Sequence, residues 1–538
     1  MNSALPVSIF NDVIGPVMRG PSSSHCAAAL RIGRLARDLM DGDIQDVLVE
    51  FDRNGSLPTT HESQGSDMGL FGGLLGWDAA DERLPGSPQA LRTSGVRIRI
   101  EIVDAADVHP NTYRLTLQSA RERHSLVAVS TGGGMMEVIS VDDFPVSLFG
   151  DYHETLLWLD GDGRAVAQRI GELVEVDEVI LHEVKGRQLV EIKAARFLTD
   201  ETITALRQLA PIRQAKRLSP VLPVLSRRGM SVPFTTCAEM LGHDAGRNMP
   251  LWKLAVAYEQ ARGNLTGAEI LAKMVDIVRI LRRSIQQGIA GTHYDDRVLG
   301  YQCGKFNTLM ASGRLLDGGA LNRIVLYVSA LMEVKSAMGV IVAAPTAGAC
   351  AALPGAVLAL GEEMKLPEEQ MGQALLASGI IGAFIATRWT FAAEVGGCQA
   401  EGGSAAAMAA AALVTLAGGT LHQAVAAASL ALQSMLGLIC DPIANRVEAP
   451  CLGKNVMAAA NALACANMAL ADYDPIIPFD EVVETAQRVA NQMPRELRCT
   501  ALGGLSITPT SKAIEQRLAA GKSPVCGSCL CLNQGAGP

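Results

Sequence analysis

Apolar positions change their period along this chain. Between Val47 and Ile139 they alternate with polar ones in short runs separated by small-residue turns, which predicts strands at IQDVLVEFDRNGS, VRIRIEIVDA and HSLVAVS. RIGRLARDLM and MGLFGGLLGW carry the wider spacing of helices. An α/β (α+β) N-terminal domain over residues 1–150 is therefore expected.

A shorter rhythm follows. ETLLWL predicts a strand, AVAQRIGELV a helix, DEVILHEVKGRQLVEIKAA a hairpin turning at Lys185-Gly186, and ETITALRQL a second helix. This βαββα order over 151–210 resembles the small regulatory fold called an ACT domain. Such a unit must bury one sheet face, so contact with a second copy of the chain, as in a homodimer, or with its own small domain is expected. Residues 211–232 hold several prolines and basic residues with little periodicity and read as a linker.

From 233 to 520 the spacing is helical throughout, predicting a large all-α domain. Its third helix opens at GNLTGAEIL, where Thr266 and Glu269 fit a capping box. Residues 405–440 contain no Asp, Glu, Lys or Arg, long enough for a membrane span. Gly418-Gly419 and His422-Gln423 interrupt the run, so two buried helices near 405–417 and 424–440 are expected and no membrane partner. The last stretch, 521–538, is Gly-rich and reads as a flexible tail holding Cys526, Cys529 and Cys531.

Composition narrows the class. A chain of 538 residues should form several domains. With 49% hydrophobic and 19% charged residues it is a folded protein, and a net charge of -9 without a basic block argues against nucleic acid. The N-terminus lacks a basic region followed by an apolar run, so no signal peptide is expected. Twelve cysteines are too few for a disulfide scaffold and suit a reducing compartment, the cytoplasm.

Four of those cysteines stand at Gly- or Pro-rich breaks: Cys350 in PTAGAC, Cys398 in GGCQAEGG, Cys440 in CDP and Cys451 in APCLGKN. Cys465 instead sits inside a helical run. Loops of this kind leave room and backbone N–H groups for a ligating sulfur. The spacing is not a short C-x2-C ladder, so metal binding and separate structural roles both remain open. GPSSSHC at 20–26 poses a similar choice. One serine could cap the next helix, or the hydroxyls could line an anion site at its N-terminus. Gly132-Gly133-Gly134 marks a close backbone approach.

GPSSSH at 20–25, NGS at 54–56 and STGGG at 130–134 resemble signatures of the small part of iron–sulfur-dependent L-serine dehydratases (L-serine ammonia-lyases). APTAGAC at 344–350, GGCQAEGGSAAAMAAAA at 396–412, GLICDPIANRVEAPC at 437–451, KN at 454–455 and TALGGLSITPT at 500–510 resemble those of the large part. The resemblance spans most of both domains, fused in one polypeptide.

What it implies is a [4Fe–4S] cluster held by Cys398, Cys440 and Cys451, with Cys350 packed beside the site. Three ligands leave one iron open as a Lewis acid for losing hydroxide from L-serine, giving pyruvate and ammonia without pyridoxal phosphate. Ser22, Ser23, Ser24 and His25 would then lie at the domain interface, binding the substrate carboxylate or ordering the groups that do. Thr346 and Asn455 would add polar contacts and Lys454 positive charge.

One departure stands out. Where the family pattern has a GHGTD-like segment this chain has SQGSD at 63–67, so Gln64 replaces the expected histidine, and His61 is the nearby candidate for its role. That keeps another small β-substituted amino acid (L-cysteine, L-threonine or 3-hydroxyaspartate) open, as well as a non-catalytic iron–sulfur amino-acid sensor. A C-terminal cysteine reaches the cluster in the resembled family. Here the tail thiols lie before the terminus, and Cys531 is the expected resting-state fourth ligand.

Overall fold

The computed structural model describes residues 6–263 and 265–521. Its first sheet has six strands in the order Arg97–Val103, Asp46–Asp52, Thr112–Gln118, Arg123–Gly132, Met135–Val141 and Phe144–Leu148. The first two pair parallel and the rest antiparallel. Alternation along Asp46–Asp52 turns Val47, Val49 and Phe51 inward, against the helices Ala28–Leu39 and Ser66–Leu74. These two helices cross very closely. A Cβ on Gly69 would run into the Cys26 carbonyl, and one on Gly73 into that of Leu30. The glycines of MGLFGGLL are thus what lets the helix carrying His25 at its entrance sit where it does.

The second sheet is antiparallel, in the order Ile212–Leu218, His153–Leu159, Arg187–Ala194 and Glu178–Val184. The hairpin turns at Lys185-Gly186 with φ positive at both residues, as a tight two-residue turn requires. Helices Gly163–Leu173 and Asp200–Leu206 cover one face through Val166, Ile170 and Leu206. On the other face Leu156, Trp158, Leu189 and Leu218 share a core with Leu126, Val141 and Phe144 of the first sheet. The face is buried within the chain itself.

Ile212–Leu218 falls inside the stretch expected to be a linker. Its strand character was hidden because an inward position is a lysine. Lys216 is 2% exposed and is accommodated by ion pairs of 2.7 Å to both Asp41 and Glu122. The N-terminal segment also reaches across to the helical region. Ile9, Phe10, Val13 and Ile14 pack into the core of the helical region, and Val17–Met18 pairs with Ile341–Val342.

The helical region is built around Ser404–Leu416. Almost every one of its residues is buried against Glu368–Arg388, Leu421–Gln433 and Cys451–Leu470, and alanine is the side chain that such close packing on all sides admits. The uncharged run is two helices, as expected, but the second occupies Leu421–Gln433, opened by a Thr420–Gln423 capping box. Residues 434–440 leave the helix and carry Cys440 to the site. The Thr266–Glu269 capping box is also present. Among the described residues one helix, Glu368–Arg388, is long and apolar enough to cross a bilayer, and 78% of its most apolar window is buried inside the protein.

Candidate functional site

The quoted motifs of both halves converge at their boundary. Residues 23–27 form a single π-helical turn that runs into Ala28–Leu39, a local widening often found at functional sites. No serine caps the helix. The hydroxyls are directed elsewhere: Ser22 Oγ lies 3.0 Å from His25 Nδ1, and Ser24 Oγ donates to Glu394 at 3.2 Å. Ser23 Oγ accepts the Ala347 N–H at 3.1 Å from the APTAGAC loop. All four residues from Ser22 to His25 are buried.

The hydrogen bonds fix the state of the ring. Thr60 gives its only hydroxyl proton to the Ser56 carbonyl at 2.8 Å, so it must accept from His25 Nε2–H, also 2.8 Å away. Nδ1 is then left with a lone pair, facing Ser22 and standing 3.3 Å from the Glu394 carboxylate. Burial holds His25 below its ordinary pKa even though Glu394 pulls the other way. Gly132, at φ +110, lets the first sheet approach the Ala392 backbone just before Glu394, and Ser130 Oγ donates to the Ser24 carbonyl at 2.7 Å.

The sulfurs come from separate breaks. Cys398 precedes another π-helical turn, Gln399–Gly403, Cys440 lies in extended chain, and Cys451 opens the helix Cys451–Leu470. Cys440 is within hydrogen-bond reach of both Cys398 and Cys499, and these contacts, together with burial, push its thiol well above its ordinary value. Burial raises Cys451 to about 12, with Cys398 nearby adding to the shift. Cys350 is also buried, and its thiol is raised to about 12; it packs in the helical core, as Cys451 does, and not in the cluster of Cys398, Cys440 and Cys499. Among the described residues no group of three or more His, Cys, Asp or Glu side chains is arranged around a single metal ion.

Charges surround the thiols. Lys454 Nζ lies 3.8 Å from Cys398 Sγ, 2.7 Å from the Ile439 carbonyl and 2.6 Å from Asp441. Burial works against its ammonium, but Cys398 and Asp441 outweigh that and raise its pKa. Lys335, fully buried, donates to the Val447 carbonyl and favours the Cys451 thiolate. Thr346 donates to Glu401 at 2.7 Å, and burial lifts Glu401 to about 7 with Glu394 adding to it.

Two further residues of the sequence reading are spoken for. Asn455 accepts from the Ala351 and Ala352 amides and donates to the Gly348 and Cys451 carbonyls, so it clamps two site segments together. His61 turns to Asp67 at 2.8 Å; burial disfavours its charged form, but the carboxylate prevails and its pKa rises. It is Gln64, 1% exposed, that faces the helical half, with Nε2 3.1 Å from Asn445 Oδ1 and 3.6 Å from Cys499 Sγ. Cys526, Cys529 and Cys531 lie outside the described residues.

Glu394, Glu401, Lys335 and Cys499 were missed in the sequence. The two glutamates flank Cys398 within EVGGCQAE, and that proximity was the available signal. Cys499 directly precedes TALGGLSITPT, and that adjacency was its signal, whereas Lys335 gave none, being a lone residue brought to the site by tertiary packing.

Comparison with known proteins identifies the family of the chain. A family model described as the serine dehydratase alpha chain matches residues 246–506. The probable L-serine dehydratase alpha chain of Bacillus subtilis is 35% identical over 288 residues, 54% of this chain and 96% of that protein. The probable beta chain of the same organism is 32% identical over 218 residues, 39% of this chain and 98% of its own length. L-serine dehydratase 2 of Escherichia coli is 26% identical over 522 residues, 93% of this chain and 98% of that protein. With both subunit types matched nearly end to end in one polypeptide, this chain belongs to the serine dehydratase family.

Proposed function

We propose that the chain is an L-serine ammonia-lyase, converting L-serine to pyruvate and ammonia with a [4Fe–4S] cluster on Cys398, Cys440 and Cys451. The observation that carries this is the position of Glu394. It receives Ser24 from the first half, stands beside His25, and acts on Cys499 in the thiol group of the second. An amino-acid site and a sulfur site therefore share one wall.

The donor set fits such a cluster. It is all sulfur, buried, and drawn from three separate segments, which suits iron–sulfur ligation and not a hard cation. Lys454 and Lys335 supply the positive charge that thiolates in a buried site need. When bound, the cluster supplies a Lewis-acidic iron that makes the substrate hydroxyl a better leaving group.

The chain's own groups do the rest. Ser23 accepts a backbone N–H and its proton is free to donate to the substrate carboxylate; Ser22 and Ser24 lie on either side of it. His25 Nδ1 takes the Cα proton, and the developing imidazolium is stabilised by Glu394 at 3.3 Å. Thr346 and Asn455 hold the 344–352 loop against the site, while Lys454 holds the charge balance at Cys398. His61, paired with Asp67, supports the loop that presents Gln64. The aminoacrylate set free tautomerises to the imine and hydrolyses in water.

Gln64 favours a second reading. A glutamine cannot exchange protons at neutral pH, so the same machinery acting on L-cysteine, L-threonine or 3-hydroxyaspartate is the alternative. An amino-acid panel on anaerobically reconstituted protein, read by ammonia release, separates the two. L-Serine is expected to turn over fastest, and a clear preference for any of the others overturns the serine assignment. A sensor without turnover would release no ammonia from any of them.

The 151–218 unit is the regulatory, ACT-like part in this reading, and the active form is a cytoplasmic homodimer. Sedimentation of the reconstituted protein tests the dimer, a monomer being the adverse result.

A further inference from the structure

Cys499 is a fourth thiol that the three-cysteine reading leaves unused. It is 4% exposed and packs with Cys398, Cys440 and Ala393. Two backbone hydrogen bonds hold its segment in register with Cys440: Cys440 N–H to the Leu497 carbonyl at 2.9 Å, and Cys499 N–H to the Cys440 carbonyl at 3.3 Å. Its sulfur reaches Cys440 Sγ, and Gln64 Nε2 points at it from the first half. Gln64 also bonds Asn445, whose own amide bonds the Thr59 carbonyl at 2.6 Å and Ser63 Oγ at 3.0 Å. The amide is therefore held in place.

We propose that Cys499 is the fourth thiolate of the resting cluster, and that Gln64 donates an N–H to its sulfur. This rests on the cluster reading above and deepens it. An iron lacking a thiolate takes a soft ligand when one is at hand. Cys499 already packs against Cys398 and Cys440, with its backbone bonded to that of Cys440. On ligation the S–H bond breaks, its proton leaves to solvent and an iron–sulfur bond forms, with no change in iron oxidation state. An amide N–H directed at the sulfur stabilises the thiolate, as outer partners of metal ligands commonly do. This gives Gln64 a task that requires no proton transfer.

The test compares the wild type, Cys499→Ser, Cys499→Ala and a chain truncated after Lys522, each reconstituted anaerobically with 57Fe. Mössbauer spectra should show four alike, sulfur-ligated irons in the wild type and in the truncated chain. In both Cys499 variants one iron should become distinct, and oxidation by ferricyanide should yield a three-iron EPR signal sooner than in the wild type. Gln64→Leu should keep all four irons and speed the same loss. A wild-type spectrum with a distinct iron, unchanged in the Cys499 variants, overturns the proposal. So does a distinct iron created by truncation alone, which assigns the ligand to the tail. Absence of any cluster from the wild type, with native circular dichroism, overturns the underlying cluster reading instead.

Discussion

His25 Nδ1 and a Glu394 carboxylate oxygen stand 3.3 Å apart across the boundary between the two halves, both side chains almost wholly buried. Neither residue has this partner in its own domain, so the pair exists only when the halves are docked. Its charge state couples docking to chemistry. Burial lowers the His25 pKa and the carboxylate partly restores it. Glu394→Gln removes the restoring charge, so the acidic limb of the kcat–pH profile should move to lower pH. His25→Asn should lower kcat by about 10²–10⁴-fold without that shift. Steady-state rates across the pH range check both. An unmoved acidic limb in Glu394→Gln would remove His25 from the role of base.

Gly69 offers a mechanical test of the same turn. Its Cα faces the Cys26 carbonyl so closely that any side chain must push the two helices apart. Gly69→Ala should cost about 1–3 kcal/mol, as overpacking does, and should also lower kcat because Cys26 follows His25 directly. Gly86, with open space around it, is the control, and its alanine variant should match the wild type in both thermal melting and rate.

How much of this was readable in advance differs by element. The thiols Cys398, Cys440 and Cys451 stood out because glycine and proline surround them, a local pattern that sequence displays. GPSSSH was visible for the same reason. The strand Ile212–Leu218 was not, because its buried lysine is paid for by Asp41 and Glu122, far away in the chain. Lys335 was invisible on similar grounds, and Cys499 adjoins a visible motif, but the contacts that give it a role come from over long separations. His61 was preferred over Gln64 by residue type alone, and only the backbone between them decides which side chain faces Cys499.

Glu259 ties the N-terminal segment to the helical core and should set a pH dependence of stability. It accepts from Ser8 Oγ at 2.5 Å and from the Ile9 amide at 2.8 Å, and burial raises its pKa from 4.5 to about 7. The folded state thus keeps a proton that the unfolded chain has lost. Stability is full below the unfolded value, falls as pH rises from 4.5 towards 7, and is then flat. The shift corresponds to roughly 3 kcal/mol. Glu259→Gln should flatten this slope, so that its melting temperature relative to the wild type improves between acidic and neutral buffer. A difference between the two proteins that does not vary with pH would count against a raised Glu259 pKa.

Lys193 carries the last prediction, in the sheet that packs on the first domain. Its ammonium lies 2.9 Å from Glu154, 2.8 Å from Glu191 and 2.8 Å from the Ser147 carbonyl, in a site where both carboxylates are buried. Burial raises Glu154 to about 8 even with the lysine present, whereas Glu191 is held low, against burial, by His182 and Lys193. A buried triad of this kind need not be worth much relative to an apolar core, but breaking one member strands the others. Lys193→Met should therefore cost about 3–5 kcal/mol in denaturant unfolding at neutral pH. Acidification should recover part of the loss, because protonating Glu191, the carboxylate held ionised beside the lysine, removes the uncompensated charge. Adding Glu191→Gln should also recover part of it at neutral pH, through a positive coupling between the two sites. If the double variant is as unstable as the sum of the singles, the lysine is stabilising the sheet by packing its chain and not by neutralising Glu191.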